Sequence, residues 1–243
     1  MRIMLALLTL LTLAPGSAPA QAASFDPAQR QEIVAILRDT LRTDPAILRD
    51  ALAALQADEA RHQDQVMRDV LTMLGPHLVN AQDPVEGNPF GDVTVVEFYD
   101  TRCPYCRRML PVMAQLLASD PKVKLVVKDL PILGPASELE SRILLAAQKQ
   151  GAYFKLQAAI MAASGQPTRD SLRAIADREG LDGNRLLRDM DDPAIKARLK
   201  ANVDLAKQIG IEGTPAIIVG TKMFAGATEL ADLQAAIAAA RAR

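Results

Sequence analysis

Both cysteines of this 243-residue chain lie in one short run, Cys103-Pro104-Tyr105-Cys106. Two sulfurs separated by two residues suit three chemistries. A structural zinc site needs four ligands, commonly two such pairs or a pair with histidines at short spacing. The chain offers only His62 and His77, both well upstream, the first on a polar helical stretch and the second after Gly75-Pro76. Their positions suit solvated or capping roles, and no metal site is expected. Covalent haem attachment calls for His directly after the second Cys, and position 107 is Arg. Thiol–disulfide exchange needs only the two sulfurs in a suitable setting, with no cofactor. A bond across two residues closes too short a loop to stabilise the chain through entropy. The pair therefore reads as reactive rather than structural.

The flanking elements supply the setting. Residues 93–99, VTVVEFY, are β-branched and aromatic, the pattern of a buried strand. Residues 107–117 place apolar side chains at helical spacing. Cys103 then falls where a strand ends and a helix begins, with Pro104 at the first helical position, where its missing N–H costs nothing. The unpaired N–H groups and the dipole at that terminus favour a thiolate. Cys106, one turn inside, faces the same sulfur. Geometry thus assigns attack to Cys103 and resolution to Cys106. Alternation along the strand puts Val95, Glu97 and Tyr99 on one face and Val96 and Phe98 on the other. Arg107 and Arg108 either add to the field at the thiolate or form a solvated helix face.

With these residues in view, Glu97-Phe98-Tyr99-Asp100-x-x-Cys103-Pro104-Tyr105-Cys106 resembles the active-site segment of the DsbA-like thioredoxin-fold proteins of bacterial envelopes. Pro111 matches the helix-kinking proline of thioredoxins, and residues 213–219, GTPAIIV, resemble the loop and strand that carry the family's cis-proline. The resemblance implies an α/β thioredoxin fold over residues 92–243 with a helical insertion at about 137–209. It implies that Pro215 is cis, and that Thr214, Pro215, Pro104 and Tyr105 contact an extended substrate peptide. It also implies that Glu97 is a buried acid behind Cys106, able to relay its proton. The alternatives for Glu97 are a strand glutamate pointing outward or an ion pair with a lysine such as Lys128. Strands are expected at 123–128, 216–219 and 222–224, the last two as a hairpin through Gly220-Thr221. Thr168 and Asp182 are expected to cap helices.

The rest of the chain bears on location and assembly. Lys and Arg total 28 against 29 Asp and Glu, and there is no Trp, with five Phe and three Tyr. That charge balance and aromatic scarcity exclude a general nucleic-acid binder. Residues 1–22 combine Arg2, a short apolar run and Ala20-Gln21-Ala22, the pattern of a cleavable secretory signal. The expected location is the periplasm, with cysteine-containing exported proteins as clients and a membrane redox partner that resets the pair. Residues 24–74 carry a helical stripe (Ile33, Leu37, Leu41, then Leu48, Leu52 and Leu55 after Asp44-Pro45, and Val66, Val70 and Leu74), read as an arm for homo-oligomerisation. A Pro/Gly-rich linker at 75–91 is expected to follow. The F-D-P-A-Q-R-Q-E-I and T-D-P-A-I-L segments resemble the N-terminal region of the copper-sensitivity-suppressor ScsC proteins, DsbA relatives whose arm mediates oligomerisation. Met67, Met73, Met109 and Met113 at helical spacing read as core filler rather than copper ligands. Two functional classes stay open: a thiol–disulfide oxidoreductase, as oxidase or isomerase, and a chaperone holding Cu(I) on two thiolates. Tyr105 where DsbA carries histidine, Thr214 before the cis-proline and the arm incline the reading toward an isomerase or reductase.

Overall fold

A computed structural model describes residues 25–242, so the expected signal at 1–22 lies outside the described residues. The chain divides into two compact units between Asp58 and Glu59.

The first unit is helical. Asp26 accepts the Gln29 backbone N–H at 2.9 Å while the Gln29 side chain accepts the Asp26 N–H at 3.0 Å. This reciprocal cap, with Pro27 at the first position, starts α1 (Pro27–Thr43). Asp44 ends α1, and its carboxylate accepts the Ala46 N–H at 3.1 Å, opening α2 (Ala46–Leu74). No residue of α1 is buried, and Leu37, Leu52 and Leu55 of the expected stripe are each more than half exposed.

The second unit starts inside α2. Leu71 is 1% exposed, and Met67 and Leu74 pack against the same apolar cluster as Leu71. After a 3-10 turn (Gly75–His77), Leu78 is buried and Asp83 forms a 2.6 Å ion pair with Lys128, both side chains almost fully enclosed. Strand β1 (Val85–Gly87) follows. The stretch read as a linker at 75–91 thus contributes strand β1 to the sheet and the buried Leu78 and Asp83 to the unit, and the end of the arm read at 24–74 belongs to the core of this unit. Gly75 and Pro76 form the 3-10 turn, and Gly87 ends β1 with a φ of 75°.

Strands β2 (Val93–Tyr99), β3 (Val123–Asp129), β4 (Ala216–Val219) and β5 (Lys222–Ala225) complete a sheet of order β1-β3-β2-β4-β5. Central β2 runs parallel to β3 and antiparallel to β4, with Glu97 opposite Val127 and Ile217. Helix α3 (Pro104–Ser119) crosses from β2 to β3 and tolerates Pro111 within it. Between β3 and β4 stand α4 (Pro135–Gln148), α5 (Tyr153–Ala162), α6 (Arg169–Arg178), α7 (Gly183–Asp189) and α8 (Pro193–Ile209). Thr168 and Asp182 cap α6 and α7, as their residue types suggest. Helix α9 (Leu230–Arg241) closes the unit, its Arg241 clamped between Asp92 and Asp120.

The sheet is covered on both faces. Val95, Tyr99, Leu125, Val127 and Ile217 pack with the cysteines, Met109, Met113 and the insertion helices. Val96, Phe98, Val126 and Ile218 pack with Leu71, Leu78, Ala206 and Ile209 on the other side. Around β2 neither face is open to water, which is why β2 is apolar at nearly every position.

Candidate active site

Strand β2 ends at Tyr99, and four residues later Cys103 becomes the N-cap of α3, with extended backbone and no side-chain cap bond. Its sulfur is free to react rather than committed to the helix. The Cys103 N–H bonds the Asp100 carbonyl at 3.1 Å, and its own carbonyl accepts the Arg107 N–H at 3.1 Å. Its thiol donates to the Thr214 carbonyl at 3.2 Å, across the sheet from β2 to the segment before β4. The Thr214-Pro215 peptide is cis, as the resemblance implied. Both cysteines are free thiols; Cys103 keeps 5% of its surface exposed and Cys106 1%. Cys103 thus meets solvent only through a narrow opening.

Cys106 lies within the first turn of α3, behind Cys103. Burial pushes its thiol well up, and the charges of an ionised Cys103 and Glu97 push the same way. Hydrogen bonds from the Asp100 backbone and the Thr214 side chain offset this only in part. Such a sulfur stays protonated until a base removes its proton.

Glu97 stands on the same face of β2 as Val95 and Tyr99, 6% exposed, and burial pushes its carboxyl up to about 8. The alternative pairing with Lys128 is overturned: Lys128 stands in register with Phe98 on the opposite face, and its ammonium is taken by Asp83. Glu97 borders a cavity of about 330 Å³ with Glu86, Pro111, Phe154 and Gln157.

The loop between β2 and the cysteines carries polar residues that the sequence reading did not single out. Asp100 is fully buried; one carboxylate oxygen accepts the Arg102 N–H at 2.8 Å, the other those of Ile132 and Leu133 at 2.9 and 3.0 Å. Thr101 donates to the buried Glu140 of α4 at 2.6 Å, and Arg102 donates to the Gly165 carbonyl at 2.9 Å. The loop is thereby tied to the helical insertion on both sides. Position alone, between a strand and a C-x-x-C pair, could have flagged Asp100; its partners could not be read. Deeper still, Tyr153 donates to Asp129 at 2.7 Å and shares a 2.6 Å bond with Tyr99, while burial pushes the Asp129 carboxyl up to about 6.

Beside the dithiol, a groove of about 510 Å³ is lined by Tyr105, Arg108, Ile211, Glu212, Thr214 and Met223. Tyr105 is 51% exposed, its ring covered by the Arg108 guanidinium at 4.4 Å. Pro104 is exposed and Pro215 buried. Arg107 instead turns back toward the Thr101 carbonyl at 3.5 Å. His62 and His77 lie exposed on α2 and the 3-10 turn; Met109 and Met113 are core residues, whereas Met73 is 68% exposed. Among the described residues, no three His, Cys, Asp or Glu side chains cluster at metal-binding distance.

A β-strand delivering C-x-x-C to a helix N-terminus, opposite a cis-proline and under a helical insertion, defines a thioredoxin-fold thiol–disulfide oxidoreductase. The chain belongs to the DSBA-like thioredoxin domain family, whose model matches residues 94–238. A second family model, the copper resistance protein ScsC N-terminal domain, matches residues 29–61. Among solved structures, a thioredoxin-like oxidoreductase from Silicibacter pomeroyi is 40% identical, over 68% of this chain and 96% of that one, with a TM-score of 0.66. The thiol-disulfide exchange protein alpha-DsbA2 from Wolbachia pipientis is 26% identical over 73% and 97%, with a TM-score of 0.69. Proteus mirabilis ScsC in a transitional conformation is 27% identical over 90% and 99%, with a TM-score of 0.65. The chain also spans about a quarter of the length of the curated relatives it matches. One is the Na(+)/H(+) antiporter NhaA 1 of Salinispora arenicola, 29% identical over 161 residues, with 25% of that protein covered.

Proposed function

We propose that this protein is an exported thiol–disulfide oxidoreductase of the periplasm that rearranges or reduces wrong disulfides in cysteine-containing exported proteins. The observation that carries the reading is the Cys103 thiol, unengaged by its own helix cap and 3.2 Å from the Thr214 carbonyl beside the cis-proline. In the dithiol form, the Cys103 thiolate attacks one sulfur of a client disulfide. A Cys103–client bond forms, and the client's other sulfur leaves as a thiolate. In isomerisation, a different client thiolate attacks the client sulfur held by Cys103; a new client disulfide forms as the bond to Cys103 breaks and its thiolate leaves. In reduction, Cys106 attacks Cys103 and displaces the client. In the second case Cys106 must first lose its proton. Glu97 in its ionised form is the proposed acceptor, and the released client sulfur ends as a thiol. Thr214, Pro215, Pro104 and Tyr105 form the surface along which the client chain lies.

Three features favour isomerase or reductase over oxidase: Tyr105 between the cysteines in place of an imidazole, Thr214 before Pro215, and a helical arm that gathers copies of the chain around one client. A membrane redox protein would return Cys103–Cys106 to its resting state. No helix among the described residues is long and apolar enough to cross a membrane.

Cys103→Ser is expected to abolish reaction with client disulfides, whereas Cys106→Ser is expected to accumulate mixed disulfides separable by non-reducing electrophoresis. Loss of trapping in Cys106→Ser would refute the division of roles. The match at residues 29–61 to a copper resistance family supports one other reading, in which the two thiolates hold Cu(I). Copper retained after purification in reducing buffer, with no refolding of scrambled ribonuclease, would favour it.

A further inference from the structure

Asp100, the first residue after β2, is fully buried, and three backbone N–H groups fill its carboxylate. One oxygen accepts the Arg102 N–H two residues on, an Asx turn. The other accepts the N–H groups of Ile132 and Leu133, in the loop that leaves β3. The Asp100 carbonyl accepts the Cys103 N–H three residues on, which closes a β-turn over residues 100–103. This one side chain therefore fixes the turn that leads to the cysteines and ties it to the exit of the parallel neighbour strand.

The main chain of the same residue reaches the second sulfur. The Asp100 N–H donates to Cys106, and this bond favours an anionic sulfur against the burial that opposes it. Cys103 depends on Asp100 less. Its sulfur lies against the Thr214 carbonyl, and the N-terminus of α3 favours its thiolate. A backbone N–H is aimed only as well as its peptide plane is held. The plane between Tyr99 and Asp100 is held by β2 on one side and by the three carboxylate bonds on the other. A carboxylate that merely stapled two loops could sit anywhere along them; this one belongs to the residue whose N–H meets Cys106.

We propose that Asp100 is a positioning residue for the second half of the exchange: its carboxylate holds the peptide N–H that receives the charge forming on Cys106. This deepens the oxidoreductase reading above and rests on it. In that step Cys106 gives its proton to Glu97 and its sulfur bonds to Cys103. The Cys103–client bond breaks, and the client sulfur leaves with the electron pair as a thiolate. Negative charge passes over the Cys106 sulfur on the way, and an N–H already aimed there needs no rearrangement to meet it. The Asp100 side chain acts through its own main chain rather than on the reacting atoms.

The test follows the full-length reduced protein through one turnover with oxidised glutathione, quenched in acid and read by mass spectrometry. Attack by Cys103 forms a protein–glutathione mixed disulfide and releases one glutathione. Displacement by Cys106 closes the protein disulfide and releases the second. Asp100→Asn keeps the shape but turns one acceptor oxygen into a donor facing other donors. It is expected to slow displacement roughly tenfold and to leave attack within about twofold, so that the mixed disulfide accumulates. Leu71→Ala, which loosens the same unit from the opposite face of the sheet, is the control for lost stability and is expected to change neither step. Displacement at the natural rate in Asp100→Asn, equal loss in both steps, or the same slowing in Leu71→Ala overturns the proposal. Should Asp100→Asn not fold, Asp100→Ser, which keeps an oxygen for the Arg102 N–H, carries the same test with slow displacement and preserved attack expected. Failure of the oxidoreductase reading looks different, since the natural chain would then release no glutathione.

Discussion

At the residue scale, Glu97 and two thiols share one buried region, and their environments separate their tasks. Cys103 stands at a helix N-terminus beside a narrow opening. Cys106 and Glu97 are enclosed behind it and favour their protonated forms. Glu97→Gln keeps the shape and removes the proton acceptor, so the step in which Cys106 displaces a client should slow roughly a hundredfold. Attack by Cys103 should be little changed; rapid-quench alkylation during one turnover distinguishes the two steps. The same substitution has a signed effect on stability. The folded value of Glu97, about 8, lies above its ordinary 4.5, so between these values the native state binds more protons than the unfolded chain. Stability from this group is complete below pH 4.5 and falls as pH rises toward 8, where the buried charge carries its full penalty. Glu97→Gln should match the natural chain at pH 4 and exceed it by about 5 kcal/mol at pH 9, read by urea denaturation. The pair, the strand face of Glu97 and the Thr214-Pro215 loop were legible because each is a local pattern. Asp100 and the Tyr99–Tyr153–Asp129 cluster were not, because their hydrogen bonds join residues 24 to 54 positions apart.

At the scale of elements, the strands, the caps and the hairpin through Gly220-Thr221 follow from period and punctuation, and the structure has them where residue types place them. The segment before β2 does not follow. Strand β1 has only three residues, at the sheet edge, too few to show alternation. The role of α2 changes along its length with no break in its helical pattern. Leu52 and Leu71 look alike in sequence, yet one is 57% and the other 1% exposed. Leu71→Ala should therefore lower unfolding free energy by about 3 kcal/mol, and Leu52→Ala should leave unfolding of the catalytic unit unchanged. Asp83→Ala should be at least as costly, roughly 3–5 kcal/mol, because it strands the Lys128 ammonium in the core. Calorimetry of the three variants separates these expectations. If Leu71→Ala unfolds like the natural chain, the end of α2 is not part of that core.

At the scale of the whole molecule, the first unit poses a problem that its own residues do not solve. Helix α1 has 17 residues and none is buried; Ile36, Leu37, Leu48, Leu52 and Leu55 leave between 49% and 64% of their surface in water. Isolated helices of that length are marginal in water, and most helical stability in proteins comes from burying an apolar face. A second copy of the same stripe is the partner proposed for it, with the spacing of three and four that suits helix–helix seams. Truncating at residue 74 would be a poor test, because it removes Leu71 and Leu74 from the catalytic core. Leu37→Asp/Leu48→Asp leaves that core intact and places two charges on the stripe. Light scattering should report a multimer for the natural chain and a monomer for the variant. Reduction of oxidised glutathione should be unchanged, since it needs only one dithiol. Recovery of scrambled ribonuclease should fall at least tenfold, because isomerisation calls for repeated attack on one client before it escapes, and a monomer offers a single Cys103 per encounter. A monomeric variant that still recovers scrambled ribonuclease at the full rate would separate assembly from isomerisation and leave the dithiol alone responsible for it.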